Sequence, residues 1–197
     1  MNSSPDSDDG LKLPLVEEFY SVQGEGCNTG KAAYFIRIGG CDICCSWCDT
    51  KMSWSAGLHP LVDIADISDH VLASGADSVV VTGGEPLMWN MGPLCQLLRK
   101  NGIITFLETS GAHPLTGIWD WITLSPKNDA LPLPDIWQKA DELKVIIHDG
   151  TDFEAAEEYS KRVSPRCKLV LQPEWSRYIE MIGAITEYVK KNTQWRE

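Results

Sequence analysis

Ser78-Val79-Val80-Val81-Thr82-Gly83-Gly84-Glu85-Pro86 is a short apolar run that breaks into a glycine-rich polar phrase. A run without polar alternation suits a parallel strand, which is buried on both faces. Similar strand candidates stand at residues 16–21, 33–38, 103–108, 121–125, 143–147 and 168–172. Helical patterns lie between them. Pro60 precedes Ile64, Ile67, Val71 and Leu72 on one stripe, and residues 93–100 run to a C-cap at Asn101-Gly102. Tyr178, Ile182, Ile185 and Val189 form a third stripe. Repeated βα units imply a parallel sheet, open or curled into part of a barrel. About 180 residues cannot supply the roughly 250 of an eight-unit barrel. The expected fold class is therefore α/β, a shortened and partly open parallel βα barrel. Residues 1–14 read as a disordered acidic arm, and residues 15–197 as a single core domain.

Each central strand ends in a polar phrase: Gly39-Gly40-Cys41, Thr82–Pro86 as quoted, Glu108-Thr109-Ser110-Gly111, Ser125-Pro126-Lys127 and Gln172-Pro173-Glu174. In a parallel βα array these ends share one face, where such folds place their chemistry. Seventeen basic against twenty-eight acidic residues give a formal charge of −11, which argues against nucleic acid or an anionic membrane as partner. No apolar run approaches the roughly 20 residues of a membrane span. The N-terminus lacks a signal peptide's basic start and apolar core, so a cytoplasmic protein is expected.

Four of the seven cysteines fall in Cys41-Asp42-Ile43-Cys44-Cys45-Ser46-Trp47-Cys48. In a reducing compartment such a cluster points to metal or redox chemistry. Taken as two pairs it offers four thiolates for zinc or iron, but zinc pairs are usually a dozen or more residues apart, and adjacent Cys44 and Cys45 would strain the loop. The other register takes Cys41, Cys45 and Cys48. Three thiolates can hold three irons of a [4Fe–4S] cube and leave the fourth open, whereas an electron carrier normally uses four cysteines. Cys27, Cys44, Cys95 and Cys167 read as non-ligands, with Cys95 in the core.

The three-cysteine register after one strand, with Gly-Gly-Glu-Pro after a later one, resembles the radical S-adenosylmethionine (SAM) superfamily. Glu17-Glu18-Phe19-Tyr20-Ser21-Val22-Gln23-Gly24-Glu25-Gly26, Phe35-Ile36-Arg37 and Trp47-Cys48-Asp49-Thr50 narrow the likeness to the 7-carboxy-7-deazaguanine synthase family. Later phrases follow that family's order through Leu143-Lys144 and Leu171–Pro173, although Ser110 stands where the family often has Asn.

The resemblance implies a lyase that converts 6-carboxy-5,6,7,8-tetrahydropterin into 7-carboxy-7-deazaguanine and ammonia, on the route to queuosine. It implies a barrel of the radical SAM type, a [4Fe–4S] cluster on Cys41, Cys45 and Cys48, SAM as a regenerated cofactor, and Mg²⁺. It further implies a flavodoxin- or ferredoxin-type electron donor and a homodimer. By the same likeness Trp47, Cys48, Asp49, Gly84, Glu85, Ser125, Pro126, Lys127 and Gln172 would bind SAM. Val22, Gln23, Gly24, Glu25, Arg37 and Thr82 would bind substrate, and Thr50 would give its hydroxyl to Mg²⁺.

The residues suit these roles. The Arg37 fork can pair a carboxylate at two points. Gln23 and Glu25 can address an aminopyrimidine edge, while Gly24 and Gly26 let backbone approach a flat ring. Exposed amides of Gly83 and Gly84 would reach the SAM methionine end. One neutral oxygen from Thr50 is a poor Mg²⁺ site alone, so the ion is expected with substrate. Two other readings use the cysteines: a glycyl-radical activating enzyme acting on a partner protein, and a non-catalytic iron–sulfur or zinc module. Neither needs Gln23–Gly26, Arg37 or Thr50.

Overall fold

The computed structural model describes residues 9–197. In chain order its elements are β1 (Lys12–Val22), β2 (Ala32–Ile38), β3 (Leu61–Asp63), α1 (Ile64–Ser74), β4 (Ser78–Gly83), α2 (Gly92–Lys100) and β5 (Ile104–Thr109). They continue with β6 (Trp121–Leu124), β7 (Glu142–Ile147), α3 (Asp152–Ser160), β8 (Lys168–Pro173), α4 (Tyr178–Lys191) and β9 (Trp195–Arg196). One sheet takes all the strands in the order β3-β1-β2-β4-β5-β6-β7-β8-β9. From β2 to β9 every neighbouring pair is parallel.

The first strand departs from the all-parallel expectation. β1 is antiparallel to both β2 and β3. The segment joining Val22 to Ala32 is too short for a crossover, so the chain must turn back on itself. Residues 12–14, assigned to the arm by composition, are strand: Lys12, Leu13 and Pro14 pair with Asp63, Val62 and Leu61. Leu13 is fully buried, which no disordered arm would allow. The rest of the expected arm, residues 1–8, lies outside the described residues.

Helices cover one face of the sheet and create two apolar cores. Leu13, Ile36, Val79, Val81, Ile67 and Leu98 belong to the first, under α1 and α2. Leu107, Leu124, Leu143, Val145, Leu171 and Ile185 belong to the second, under α3 and α4. Two helical stripes are rotated from the expected positions. On α1, Ile64, Ile67 and Val71 are buried but Leu72 is exposed. On α4 the buried residues are Met181 and Ile185, and Tyr178 is exposed. Gly102 ends α2 at φ +76°, with its amide donating to the Arg99 carbonyl, as the C-cap signal requires.

Strand alternation sends the intervening side chains to the other face: Phe35 and Arg37, Val80 and Thr82, Phe106 and Glu108, Lys144 and Ile146, Gln172. In a flat sheet β2 and β7 would stand four strand spacings apart, roughly 19 Å. Yet the Cys27 amide, in the β1–β2 connection, donates to Glu142 on β7 at 2.9 Å. The sheet is a partly open barrel, and the β1–β2 connection crosses its open side. No helix among the described residues is long and apolar enough to cross a membrane.

Candidate active site

The cysteine loop leaves β2 at Gly39-Gly40 and is tied down before its first thiol. The Gly40 amide donates to the Ser53 carbonyl at 2.7 Å and the Cys41 amide to the Trp54 carbonyl at 3.0 Å. On the other side, the Gly84 amide donates to the Ile38 carbonyl (2.9 Å) and the Glu85 amide to the Gly40 carbonyl (2.7 Å). A Cβ on Gly84 would meet the Gly40 oxygen at 2.2 Å, so glycine is required by the approach of the two strand ends. The Gly84 amide, expected to be exposed for SAM, is therefore engaged in holding the cysteine loop.

Glu85 is likewise committed within the protein. It is 1% exposed. One carboxylate oxygen accepts from the Thr109 hydroxyl (2.6 Å) and the Leu87 amide (3.0 Å); the other accepts from the Ser110 amide (2.8 Å) and hydroxyl. The ends of β2, β4 and β5 are thus one hydrogen-bonded unit. The Ser110 hydroxyl supplies one of these donors. A further tie runs from His113, after β5, to Asp42 inside the cysteine loop at 3.0 Å.

Cys41, Cys45 and Cys48 are partly buried free thiols. Burial raises the Cys41 and Cys45 thiols above their ordinary value; Lys127 opposes this at Cys45, while Cys41 and Cys48 add to it. Cys44, which a four-thiolate site would also need, is exposed at φ +51° and turns its thiol back to the Cys41 carbonyl at 3.2 Å. Among the described residues no three His, Cys, Asp or Glu side chains are gathered for a single ion. Three soft thiols held on one anchored loop fit a cubane, with Cys41, Cys45 and Cys48 as its holders.

Beside Cys45 and Trp47 lies a cavity of about 340 Å³, also lined by Lys127, His148, Asp152 and Tyr159. This is within the range of small-molecule sites. The Lys127 ammonium stands 5.3 Å from the Trp47 ring centre and donates to the Ser125 hydroxyl at 2.7 Å. Burial and the neighbouring Lys144 ammonium push Lys127 below the usual lysine range. Another cavity, about 380 Å³ and lined by Arg166, Lys168 and Arg196, contains none of the expected site residues.

Inside the barrel, Arg37 pairs in register with Thr82, and its Nε donates to Glu17 at 2.7 Å. The Glu17 carboxylate, itself half-exposed, therefore pairs this guanidinium from the neighbouring strand. Across from it, Lys144 Nζ donates to Glu25 (2.8 Å) and Glu108 (2.7 Å), and Gln23 Nε2 donates to the other Glu108 oxygen at 3.3 Å. Gln172, expected with SAM, stands on β8 close enough to Glu25 to help lower its carboxyl. Val22 is exposed at the end of β1. Gly24 has open space around it, but a Cβ on Gly26 would lie 2.1 Å from a Glu142 oxygen. At Gly26 the glycine is demanded by β7 packing, not by ring approach.

Thr50 does not cap the turn that follows it; its hydroxyl donates to Asp49 at 2.8 Å. That places one carboxylate beside the proposed Mg²⁺ hydroxyl. The motifs assign Lys144 no role, and for Glu108 they leave two open, the SAM ribose or support of a neighbouring loop; the structure joins the two residues in one ion pair. Their signal was present: a lysine inside the apolar run Leu143–Ile147, and a glutamate at an inward strand position.

Residues 22–114 match the 4Fe-4S single cluster domain family. The chain is 51% identical over 187 residues to 7-carboxy-7-deazaguanine synthase of Flavobacterium psychrophilum, covering 95% of this chain and 89% of that protein. It is 46% identical over 186 residues to the Synechocystis sp. protein of the same name, covering 94% and 89% respectively. The crystal structure of QueE from Escherichia coli superposes with a TM-score of 0.83 at 30% identity, over 100% of this chain and 97% of that one.

Proposed function

The chain belongs to the 7-carboxy-7-deazaguanine synthase family, and from that premise we propose how its residues divide the conversion of 6-carboxy-5,6,7,8-tetrahydropterin to 7-carboxy-7-deazaguanine. The enzyme is a radical SAM lyase. When bound, the cluster and SAM supply the hydrogen-abstracting power that no side chain has. Cys41, Cys45 and Cys48 hold the cluster. Trp47, Asp49, Ser125, Pro126 and Lys127 form the SAM side, the Lys127 ammonium attracting the SAM carboxylate. Gly84 and Glu85 contribute by fixing the cysteine loop, and Glu85 does so without touching SAM.

Arg37 binds the substrate carboxylate through its guanidinium, with Thr82 beside it in register. Val22, Gln23, Gly24 and Glu25 form the wall for the pyrimidine edge, and Gln172 steadies Glu25. Thr50, with Asp49 adjacent, takes Mg²⁺ together with substrate oxygens and water. The electron comes from a flavodoxin- or ferredoxin-type donor. The enzyme works in the cytoplasm as a homodimer and feeds queuosine synthesis.

One observation carries the substrate assignment. The barrel interior presents the Arg37 guanidinium, paired through Nε with Glu17, and on another strand the cluster of Gln23, Glu25 and Glu108 around Lys144. That arrangement matches a flat ring with a carboxylate at one end and amino donors at the other. The test is anaerobic reconstitution followed by product analysis. Deazaguanine from the carboxypterin, stimulated by Mg²⁺ and lost in Arg37→Ala, is expected; turnover undiminished in that variant would overturn the assignment.

A further inference from the structure

Lys144 is 7% exposed by its side chain and rises from the middle of β7 between the buried Leu143 and Val145. Its ammonium lies within 2.8 Å of two carboxylates from different parts of the chain: Glu25, from the β1–β2 connection, and Glu108, from β5. Two carboxylates sharing one nitrogen are necessarily near each other. Without a cation between them, one would take up a proton, because two like charges in a poorly solvated site cannot both stay ionised. Glu25 is half-exposed and Glu108 is mostly covered. The ammonium therefore keeps one accessible anion in place by neutralising the repulsion of the other.

Resting on the substrate reading above, we propose that Lys144 is a positioning residue for substrate recognition. It holds Glu25 and Glu108 ionised and aligned as one acceptor edge, to which the adjacent amino and ring N–H donors of a 2-amino-4-oxopyrimidine bind at two points. A carboxylate accepts such paired donors as it accepts a guanidinium. Gln23, donating to Glu108, restricts that carboxylate further. The other charged groups facing this cluster are Lys127 at the end of β6 and Glu142 on β7. Both accord with the assignment: Lys127 is pushed down partly by Lys144, and Glu142 is raised by burial and then by Glu108. Neither is within the hydrogen-bonded pairings of Lys144, so neither replaces it.

The experiment compares wild type, Lys144→Gln, Glu108→Gln and Lys144→Gln/Glu108→Gln, each with cluster and SAM loaded. The probe is 6-carboxypterin, followed by fluorescence. Wild-type affinity should change little between about pH 6 and 8, while K144Q should lose roughly tenfold or more at pH 8 and recover toward pH 6, where a proton replaces the ammonium. The double variant, which removes one carboxylate with the cation, should bind with the same affinity at pH 6 and pH 8 within about twofold, because no second carboxylate is left to repel Glu25. Equal binding by K144Q and wild type at pH 8, or a double variant that keeps the pH dependence of K144Q, would overturn the proposal. A second readout needs no pterin. Differential potentiometric titration should show K144Q taking up one proton between about pH 5 and 8 that wild type does not. Its absence would also overturn the proposal. Should wild type fail to bind 6-carboxypterin, the substrate reading falls, and the titration still decides whether Lys144 keeps both carboxylates charged. If K144Q does not fold, the double variant is compared with E108Q in both measurements: equal proton uptake and binding within threefold support the proposal, and a tenfold deficit overturns it.

Discussion

Glu85 shows how a charged residue in a recognised motif can be entirely occupied by the fold. Its carboxylate accepts from Thr109, Leu87 and Ser110. Removing it leaves these buried donors unpaired, each loss costing about 1–3 kcal/mol. Glu85→Ala is expected to lower stability by about 3 kcal/mol or more, read from urea unfolding of the cluster-free protein. A change below about 0.5 kcal/mol would show that the unit is not held by this carboxylate. The cysteines make a second residue-scale prediction. Cys44 is exposed, whereas burial holds the Cys95 and Cys167 thiols up to about 12. In the cluster-free protein, iodoacetamide should label Cys44 early and those two last, as mapped by mass spectrometry. Cys44→Ala should retain iron after reconstitution, and Cys45→Ala should lose it. Iron loss from Cys44→Ala would mean that the ligand register is different.

At the scale of elements, the β1–β2 connection decides whether the barrel closes. Gly26 sits at φ +66° against Glu142, while Gly24 has no atom near its missing Cβ. Gly26→Ala should therefore lower the thermal midpoint clearly, and Gly24→Ala should leave it nearly unchanged; the reverse order would refute the packing account. The same connection carries Glu25. Burial raises its carboxyl, but the Lys144 ammonium and hydrogen bonds from Lys144 and Gln172 outweigh this and hold it below the ordinary 4.5. A depressed folded value favours the folded state above the unfolded value, and that contribution disappears as pH falls through the folded one. Acid should consequently weaken wild type below about pH 4.5 by more than it weakens Lys144→Gln, compared by thermal unfolding at several pH values. An identical acid profile would remove the pairing from the account.

Across the whole molecule, the two apolar cores lie under one sheet, and the chemistry lies on the opposite face. Leu107 belongs to the core side of β5 and is fully buried, whereas Glu108, the next residue, faces the barrel. Leu107→Ala should cost about 2–5 kcal/mol by cavity formation, measured by denaturant unfolding. A smaller loss would mean that the second core is loosely packed.

Much of this was legible from local pattern. Continuous apolar runs marked β4 and β7, because burial on both faces leaves a signature in consecutive residues. Polar phrases at the strand ends mark one face of the sheet, and the spacing of Cys41, Cys45 and Cys48 singles out three thiols that share one loop. Other elements left no such trace. β3 and β9 are too short for periodicity to register, and β1 reverses direction because of a connection length that composition does not reveal. Only the tertiary structure decided which charges meet. Lys144 is 119 residues from Glu25 and 36 from Glu108. Their contact follows from sheet order and curl, properties of the assembled strands that the residues neighbouring each one in the chain do not encode.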